Sequence, residues 1–208
     1  MLVEKYITAS CIISKNAVYK NDEKLFENKE STIHDFLPYL YRHLDIKYPK
    51  FYKMDNLSKL GWLAAEILLK GNFNAGKYKA KDIGVVLANK SSSLDTDIKY
   101  YDTAKDIASP ALFVYTLPNI VIGEICIRNN FKGENAFFIF EEFDAVFIEQ
   151  YVSNLINNNI LQSCICGWVE LLHDQYKTVL FLIEKNNTTE GKLFTKENLI
   201  KIYEIEHG

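Results

Sequence analysis

The sequence predicts a single α/β domain, in which a mixed, mostly parallel sheet is covered by helices. Short apolar runs alternate along the chain with segments of helical periodicity, and several of the runs are apolar on both faces. Neither an internal repeat nor a linker-like stretch interrupts the 208 residues. This length is sufficient for one substantial core, so we expect one domain over residues 1–208.

The spacing of apolar residues along the chain defines the first two elements. Apolar residues alternate over residues 5–14, which predicts a strand with Ile7 on the same face as Ile13. Further along, apolar residues recur at helical spacing between Asp55 and Gly71. Asp55 is suited to cap the start of this helix, and glycine is the residue that most often follows a helix end. The sequence therefore predicts a strand followed by a long helix.

The remaining elements continue the alternation. The run "DIGVVLA" (82–88) predicts a strand buried on both faces, and the polar segment 89–97 predicts a loop. Pro118 fits the first turn of a helix, where its missing N–H costs nothing. Later elements follow in order: a strand at 136–140, a helix opened by Asp144, two strands joined by the hairpin turn "HDQY", and a final helix capped by Thr195.

The charge balance argues against nucleic-acid and membrane partners. The net charge is −3 and the isoelectric point is near 5.9, whereas both kinds of partner favour a basic surface. No apolar stretch reaches the roughly 20 residues that span a bilayer. The N-terminus combines an acid and a base with an alternating pattern, which is typical of a strand and not of a signal peptide. We expect a cytoplasmic protein.

The cysteines and histidines do not form a recognisable metal or catalytic motif. The cysteines have apolar neighbours and no CxxC spacing, which favours buried, reduced thiols; they are Cys11, Cys126, Cys164 and Cys166. Two of them share a strand face, but no third metal ligand lies near them in the sequence. The histidines are dispersed and are not paired with a nucleophile; they are His34, His43, His173 and His207. We predict neither a metal nor a cofactor.

Small, polar and turn-forming residues recur through the middle of the chain at characteristic spacings. They are Ser109, Pro110, Phe113, Pro118, Asn119, Gly123, Arg128, Gly133 and Asn135. In type and order they resemble the N-terminal half of the β-ketoacyl-acyl-carrier-protein synthases, members of the thiolase-like family. The likeness extends over roughly residues 5–185. It implies a thiolase-like half as the fold, and a chain truncated relative to that family.

The resemblance also implies that this chain lacks the catalytic groups of the family. In the family, the strand after the glycine and asparagine ends at a nucleophilic cysteine. Counted from Gly133 and Asn135, that position falls on Glu142. The two catalytic histidines of the family belong to a C-terminal half outside the matched region. We therefore assign no catalytic residue and expect no condensation by this chain alone.

Two alternatives remain open for the acidic pair Glu141 and Glu142. In the first, both are acids in the first turn of the following helix and face solvent or a partner. In the second, Glu142 is the catalytic group of a small hydrolase or decarboxylase and is assisted by a polar residue from 89–97. A carboxylate at a helix N-terminus is stabilised by the helix dipole, which lowers its pKa and weakens it as a general base. The first interpretation is therefore favoured.

The strand just before this position predicts a subunit interface. Its residues are apolar on both faces, and in the resembled family this strand pairs antiparallel with its counterpart in a second subunit. The predicted interface residues are Asn135, Ala136, Phe137, Phe138, Ile139 and Phe140. The alternative is an interior strand of the monomer. The resemblance also implies a loop that lines the acyl tunnel of the partner, formed by Leu112, Phe113, Tyr115, Leu117, Pro118 and Asn119.

Three functional hypotheses follow. The resemblance favours a non-catalytic subunit that associates with a full-length ketosynthase, as chain-length factors do, in fatty-acid or polyketide biosynthesis of the aryl polyene or flexirubin type. A small hydrolase or decarboxylase that uses Glu142 is the second hypothesis. The third is a homodimer that binds an acyl carrier protein or its acyl chain. The expected partners are thus a ketosynthase or a second copy, and an acyl carrier protein.

Overall fold

The computed structural model describes residues 3–29, 31–185 and 191–205. Its strands are β1 (Lys5–Ser14), β2 (Ala17–Lys20), β3 (Glu23–Glu27), β4 (Ile83–Asn89), β5 (Asn135–Ile139), β6 (Ser163–Leu172), β7 (Gln175–Lys185) and β8 (Lys192–Leu193). Its α-helices are α1 (Ile33–His43), α2 (Asn56–Leu69), α3 (Leu94–Ala104), α4 (Pro110–Val114), α5 (Ile120–Asn129), α6 (Ala145–Asn157) and α7 (Lys196–Tyr203). Short 3-10 turns lie at Pro49–Lys53, Ala75–Lys77 and Ala80–Asp82.

The strands form one mixed sheet in the order β3-β2-β1-β7-β6-β4-β5, and β8 pairs with β1. The predicted mixed α/β class is therefore confirmed. Parallel pairs were expected to dominate, but within the described residues only β4 with β5 and β4 with β6 are parallel. The pairs β1–β2, β2–β3 and β6–β7 are antiparallel because short hairpin turns join them, and such turns cannot connect parallel neighbours. Strand β1 is also antiparallel to β7 and β8.

Helices cover both faces of this sheet and create two layers of core. Apolar residues of α1, α2 and α5 pack on one face, and those of α6 and α7 pack on the other. Strand β4 is buried at every position, as predicted for "DIGVVLA", because it lies beneath helices on both sides. The parallel strands β4, β5 and β6 thereby bring their carboxyl ends to one edge of the sheet.

Strand β1 carries a bulge that the alternating sequence does not reveal. Its register with β7 shifts between Ile7 and Ala9. As a result, Ala9 and Ile13 pack toward α2, whereas Ile7 packs in the core beneath α6 and α7. The prediction that Ile7 shares a face with Ile13 is therefore wrong, since one extra residue in a strand moves all preceding side chains to the other face.

The predicted helix caps are confirmed. The side chain of Asp55 accepts a hydrogen bond from the Ser58 N–H at 2.9 Å, and that of Asp144 accepts one from the Phe147 N–H at 2.8 Å. Thr195 caps α7 in the same way. Each of these contacts satisfies a backbone donor that the helix itself leaves unpaired, so these polar residues fix where the three helices begin.

The connection between β4 and α5 differs from the prediction. The loop expected at 89–97 ends at Ser93, because the Asn89 side chain bonds to the backbone of Ser92 and closes a tight turn before α3. The proline at the first position of a helix is Pro110 of α4, whereas Pro118 lies in the turn before α5. Local sequence patterns also do not predict α1, α3, α4, β2, β3 and β8.

Candidate association surface

Glu142 lies at the edge of the sheet where β4 and β5 end. After β5, the Phe140 N–H donates to the Asn89 carbonyl at 2.9 Å, and the chain then passes through exposed Glu141 and Glu142 to Asp144. The expectation that the two glutamates belong to the first turn of the helix is wrong, because Asp144 is the N-cap. They precede the helix and face outward from this chain.

Glu142 has no partner for acid–base chemistry within the described residues. No described side chain donates a hydrogen bond or forms an ion pair to it. Two backbone donors of the segment 89–97 are also directed elsewhere: the Lys90 and Ser91 N–H groups donate to Glu170 at 2.7 and 3.1 Å. A general base has to be held within hydrogen-bond reach of its substrate and its helpers. The geometry around Glu142 gives no support to the hydrolase or decarboxylase hypothesis.

The thiols are suited to packing and not to nucleophilic chemistry. Cys11, Cys164 and Cys166 are buried, and Cys126 is half-buried. Burial disfavours the thiolate, so it raises the pKa of Cys11 to about 12 and that of Cys126 to about 11. It raises the pKa of the other two as well. The predicted burial is thus confirmed for three of the four thiols.

Alkylation should show this difference directly. We expect iodoacetamide at pH 8 to modify only Cys126 in the folded chain, about a hundredfold more slowly than an ordinary thiol, since a pKa near 11 leaves little thiolate. After unfolding, all four cysteines should react at ordinary rates. Mass spectrometry of samples taken at successive times measures the rates of modification in the folded and in the unfolded chain. Rapid modification of any thiol in the folded chain would contradict the burial described here.

Two of the described histidines make contacts in different parts of the fold. His43 packs against Phe26, with ring centroids 4.7 Å apart. His173 forms the β6–β7 turn with a φ of 56°, and its backbone N–H donates to Asp95 at 3.0 Å. His207 lies outside the described residues. Among the described residues, no cluster of three or more histidine, cysteine or acidic side chains could hold a metal ion.

Among the described strands, β5 lies at the edge of the sheet, which contradicts the alternative of an interior strand. Its hydrogen bonds to β4 include Val85 N–H to Glu134 C=O at 3.2 Å and Phe140 N–H to Asn89 C=O at 2.9 Å. Because backbone groups alternate along a strand, the N–H and C=O groups of Asn135, Phe137 and Ile139 point to the open side. A strand edge with such free groups is a template for pairing with another chain.

Aromatic and apolar side chains surround this edge. Phe138 forms edge-on contacts with Phe147 and Tyr151, at centroid distances of 4.7 and 5.1 Å, on the α6 side of β5. Phe137 packs on the α5 side. Within this chain Ile139 remains 48% exposed, and Phe137 and Phe138 are only half-buried. The alternation of side chains predicted for this strand is confirmed, but the described chain alone does not cover it.

Two grooves flank the edge strand, one on each face of the sheet. The groove on the α5 side has a volume of about 490 Å³ and is lined by Pro118, Asn119, Ile122, Gly123, Asn135, Ala136 and Phe137. The groove on the α6 side measures about 390 Å³ and is lined by Phe147, Gln150, Tyr151, Asn154 and Leu155. Both grooves are open to solvent in this chain, one on each side of the edge strand.

Helix α3 has an inverted distribution of polar and apolar residues. Asp95 and Thr96 are buried, whereas Leu94, Ile98 and Tyr101 are 44%, 40% and 69% exposed. The buried side is held by polar contacts: Thr96 Oγ1 donates to Asp55 at 2.7 Å, and Lys99 Nζ lies 2.6 Å from an Asp95 oxygen. A helix of a soluble domain usually turns its apolar side inward. This helix turns it outward.

Helix α4 and the turn after it continue the exposed apolar surface. Phe113 and Leu117 are 58% and 56% exposed. Of the residues predicted for the acyl-tunnel loop, Leu112, Pro118 and Asn119 are also at least partly exposed. Tyr115 instead is buried and donates to Glu124 at 3.2 Å, while Lys50 pairs with the same carboxylate at 2.8 Å. Tyr115 therefore anchors this segment and cannot itself line a surface groove.

Direct contacts connect these parts. The hydroxyl of Ser93 donates to the Thr116 carbonyl at 2.6 Å, and the rings of Tyr100 and Phe113 lie 5.5 Å apart. The turn after α4 leads into the groove beside β5. We name the whole the association surface: the outer edge of β5, its two flanking grooves, and the exposed apolar side of α3 and α4. Groups of exposed apolar side chains commonly mark binding sites.

Comparisons with known proteins show likeness in structure only. No protein-family model matches the chain, and no curated protein sequence matches it. Among solved structures, the ishigamide ketosynthase/chain length factor superposes with a TM-score of 0.64 at 14% identity, over 91% of this chain and 64% of that chain. A ketosynthase in complex with its chain length factor from Xenorhabdus doucetiae gives 0.57 at 10% identity, over 89% and 80%.

A β-ketoacyl synthase from Burkholderia phymatum gives a TM-score of 0.60 at 11% identity, over 88% of this chain and 59% of that one. The chain thus spans less than two thirds of the length of two of these three structures. No helix within the described residues is long and apolar enough to cross a membrane. At these TM-scores and with such coverage, the chain has the thiolase-like fold of the ketosynthases.

Proposed function

We propose that residues 1–208 form one ketosynthase-like domain that acts as a non-catalytic subunit and associates with a full-length β-ketoacyl synthase. The observation that carries this proposal is the unpaired edge of β5, where Asn135, Phe137 and Ile139 direct backbone groups outward. Similar solved structures include ketosynthases in complex with chain length factors. A second subunit that adds its own strand to this edge would satisfy those groups.

The apolar side of α3 and α4 supports the same partner. Leu94, Ile98 and Phe113 are exposed, and the turn after α4, to which Ser93 is bonded, leads from them into the groove beside β5. We propose that a subunit seated on β5 extends over this side as well. We further propose that this part of the surface borders the acyl tunnel of the partner, through Phe113, Leu117 and their neighbours. By the resemblance, the pathway would be fatty-acid or polyketide biosynthesis of the aryl polyene or flexirubin type, with chains carried on an acyl carrier protein.

The lack of a catalytic constellation around Glu142 favours this role over an independent enzyme. Glu142 is exposed, and the backbone donors of the neighbouring loop bind Glu170 instead. The thiols are buried or half-buried and their pKa values are raised, which disfavours each of them as a replacement for the nucleophile of the family. The partner subunit would then carry out the reaction, and this chain would contribute only its association surface.

Co-expression with a full-length ketosynthase from the same genome tests the proposal. We expect a stable complex of one chain of each kind, detected by size-exclusion chromatography with light scattering, and a change in product chain length when the subunit is present. Elution as separate proteins, with products unaffected, would contradict the proposal. A homodimer that persists in the presence of the ketosynthase would favour the homodimeric binding module instead.

The variant Glu142→Gln separates the enzyme hypothesis from the others in the same experiment. It preserves the size of the side chain and removes its charge. We expect complex formation and product formation to be unchanged, because no described residue depends on this carboxylate through a hydrogen bond or an ion pair. Loss of activity with the complex intact would instead assign chemistry to Glu142.

A further inference from the structure

A row of lysines lies at the edge of the sheet opposite Glu142, before β4 begins. The segment 77–81 places Lys77, Lys79 and Lys81 at alternate positions, and all three are exposed. Tyr78 and Ala80, between them, are half-buried and turn toward the domain. The alternation therefore separates an inward apolar side from an outward side that consists of lysines.

The inward side fixes this segment to the domain. The Tyr78 hydroxyl donates to Glu184 Oε1 at 2.6 Å, and its ring stacks on Phe73 at a centroid distance of 5.6 Å. Phe73 in turn contacts Phe131 edge-on at 5.9 Å. A hydrogen bond to a buried carboxylate and two aromatic contacts hold the backbone, so the lysines project from a defined support.

A second chain segment adds a fourth lysine. The Lys132 N–H donates to the Ala80 carbonyl at 2.9 Å, and the Gly133 N–H donates to the Ile83 carbonyl at 3.0 Å. The approach is so close that a Cβ on Gly133 would lie 2.4 Å from the Ile83 oxygen. Lys132 is exposed next to this contact. We name Lys77, Lys79, Lys81 and Lys132 the lysine surface.

The charges of this surface are not neutralised by the described chain. None of the four lysines forms a hydrogen bond or ion pair through its side chain with any described residue. Two carboxylates lie next to these lysines in the chain: Asp82, which accepts a hydrogen bond from the neutral amide of Gln162 at 3.2 Å, and the exposed Glu134. Four lysines against two carboxylates leave a local excess of positive charge on a chain whose net charge is −3. Such an excess attracts a negatively charged partner.

We infer that the lysine surface binds a carboxylate-rich face of a partner protein. The positive groups are all lysines, whereas arginine is the usual choice for bidentate phosphate contacts. The aromatic ring that could stack on a base, Tyr78, is occupied by Phe73. Neighbouring residues Asn74, Ala75 and Gly76 offer no large apolar side chain that could enter a lipid surface. These features favour carboxylates over nucleic acid or membrane.

Binding to immobilised poly-L-glutamate tests the inference with the full chain. We expect binding at about 0.15 M salt that disappears at about 1 M salt, because screening shortens the range of the attraction. The triple variant K77E/K79E/K81E should bind about tenfold or more weakly. The matched control K15E/K90E/K201E makes the same change in net charge at exposed lysines elsewhere and should bind within about twofold of the unchanged chain.

Competition distinguishes the chemistry of the partner. A DNA duplex and vesicles with anionic phosphatidylglycerol are added at the same concentration of negative charge. Weak competition by both supports the inference. Stronger binding of the DNA or of the vesicles than of poly-L-glutamate would overturn it, as would equal loss of binding in both triple variants, or no binding to poly-L-glutamate. These variants lie outside β5. Failure of the lysine inference can therefore be distinguished from failure of the proposed association with a ketosynthase, which is tested by co-expression.

Discussion

Replacing Ile139 by proline is expected to weaken association with the ketosynthase partner by about ten- to a hundredfold. The N–H of Ile139 points away from β4, toward the side on which a partner strand would pair. Proline removes this donor, and its ring occupies the space of the incoming backbone. One lost and one obstructed hydrogen bond in the middle of an interface cost about 1–3 kcal/mol, which corresponds to this change in affinity.

The same substitution should leave the isolated chain folded. The bond from the Phe140 N–H to the Asn89 carbonyl does not involve Ile139, and neither does that from the Val85 N–H to the Glu134 carbonyl. The side chain of Ile139 is 48% exposed, so little buried contact is lost. Thermal unfolding followed by circular dichroism checks the fold, and isothermal titration against the ketosynthase measures the affinity.

Ile139→Thr is the matched control. Like proline, threonine shortens the apolar side chain, but it keeps the N–H and favours a strand. We expect its affinity to stay within about fivefold of the unchanged chain. If the threonine and proline variants lost affinity equally, the side chain and not strand pairing would hold the partner. If neither lost affinity, β5 would not be the contact.

The parts of the fold that the sequence predicts well depend on local physics. The caps Asp55, Asp144 and Thr195 bond to donors three residues away, so their effect is visible in a short window. The run "DIGVVLA" is apolar at nearly every position, and β4 is buried throughout for that reason. Such signals do not depend on where the rest of the chain lies.

The features that the sequence does not reveal depend on distant contacts. The bulge near Ala9 is defined only by the register of β1 against β7. Helix α3 is not predicted from the sequence because its inward residues are polar. These polar residues can be buried because Thr96 bonds to Asp55 and Asp95 pairs with Lys99. Sequence patterns that equate buried with apolar fail at such a helix.

The candidate site shows the same division. The edge strand itself was predicted from its apolar residues, and its position at the open side follows from the strand order of the whole sheet. The exposed side of α3 and the lysines at 77–81 are also products of tertiary structure. No local signal distinguishes Ile98, which is exposed, from the buried leucines of α2. Exposure is the information that the fold adds.

A single methyl group at Gly167 is expected to destabilise the chain more than any surface change discussed above. Gly167 lies in β6 between β4 and β7, and its φ of +144° is a conformation that other residues rarely adopt. A Cβ at this position would lie 2.1 Å from the Val179 carbonyl oxygen and 3.1 Å from the Leu180 Cα. Both neighbours are backbone atoms of the central sheet, so they cannot rotate away.

The variant Gly167→Ala should therefore lower the free energy of unfolding by about 3 kcal/mol or more, through backbone strain and displacement of β7. Gly123→Ala is the control, because no atom lies within 4 Å of the added Cβ and its position is the interior of α5. Alanine there should raise the free energy of unfolding by about 0.5–1 kcal/mol. Urea denaturation of the isolated chains measures both. Similar stability of the two variants would show that β6 and β7 can separate at Gly167 without loss, contrary to a central sheet packed on both faces.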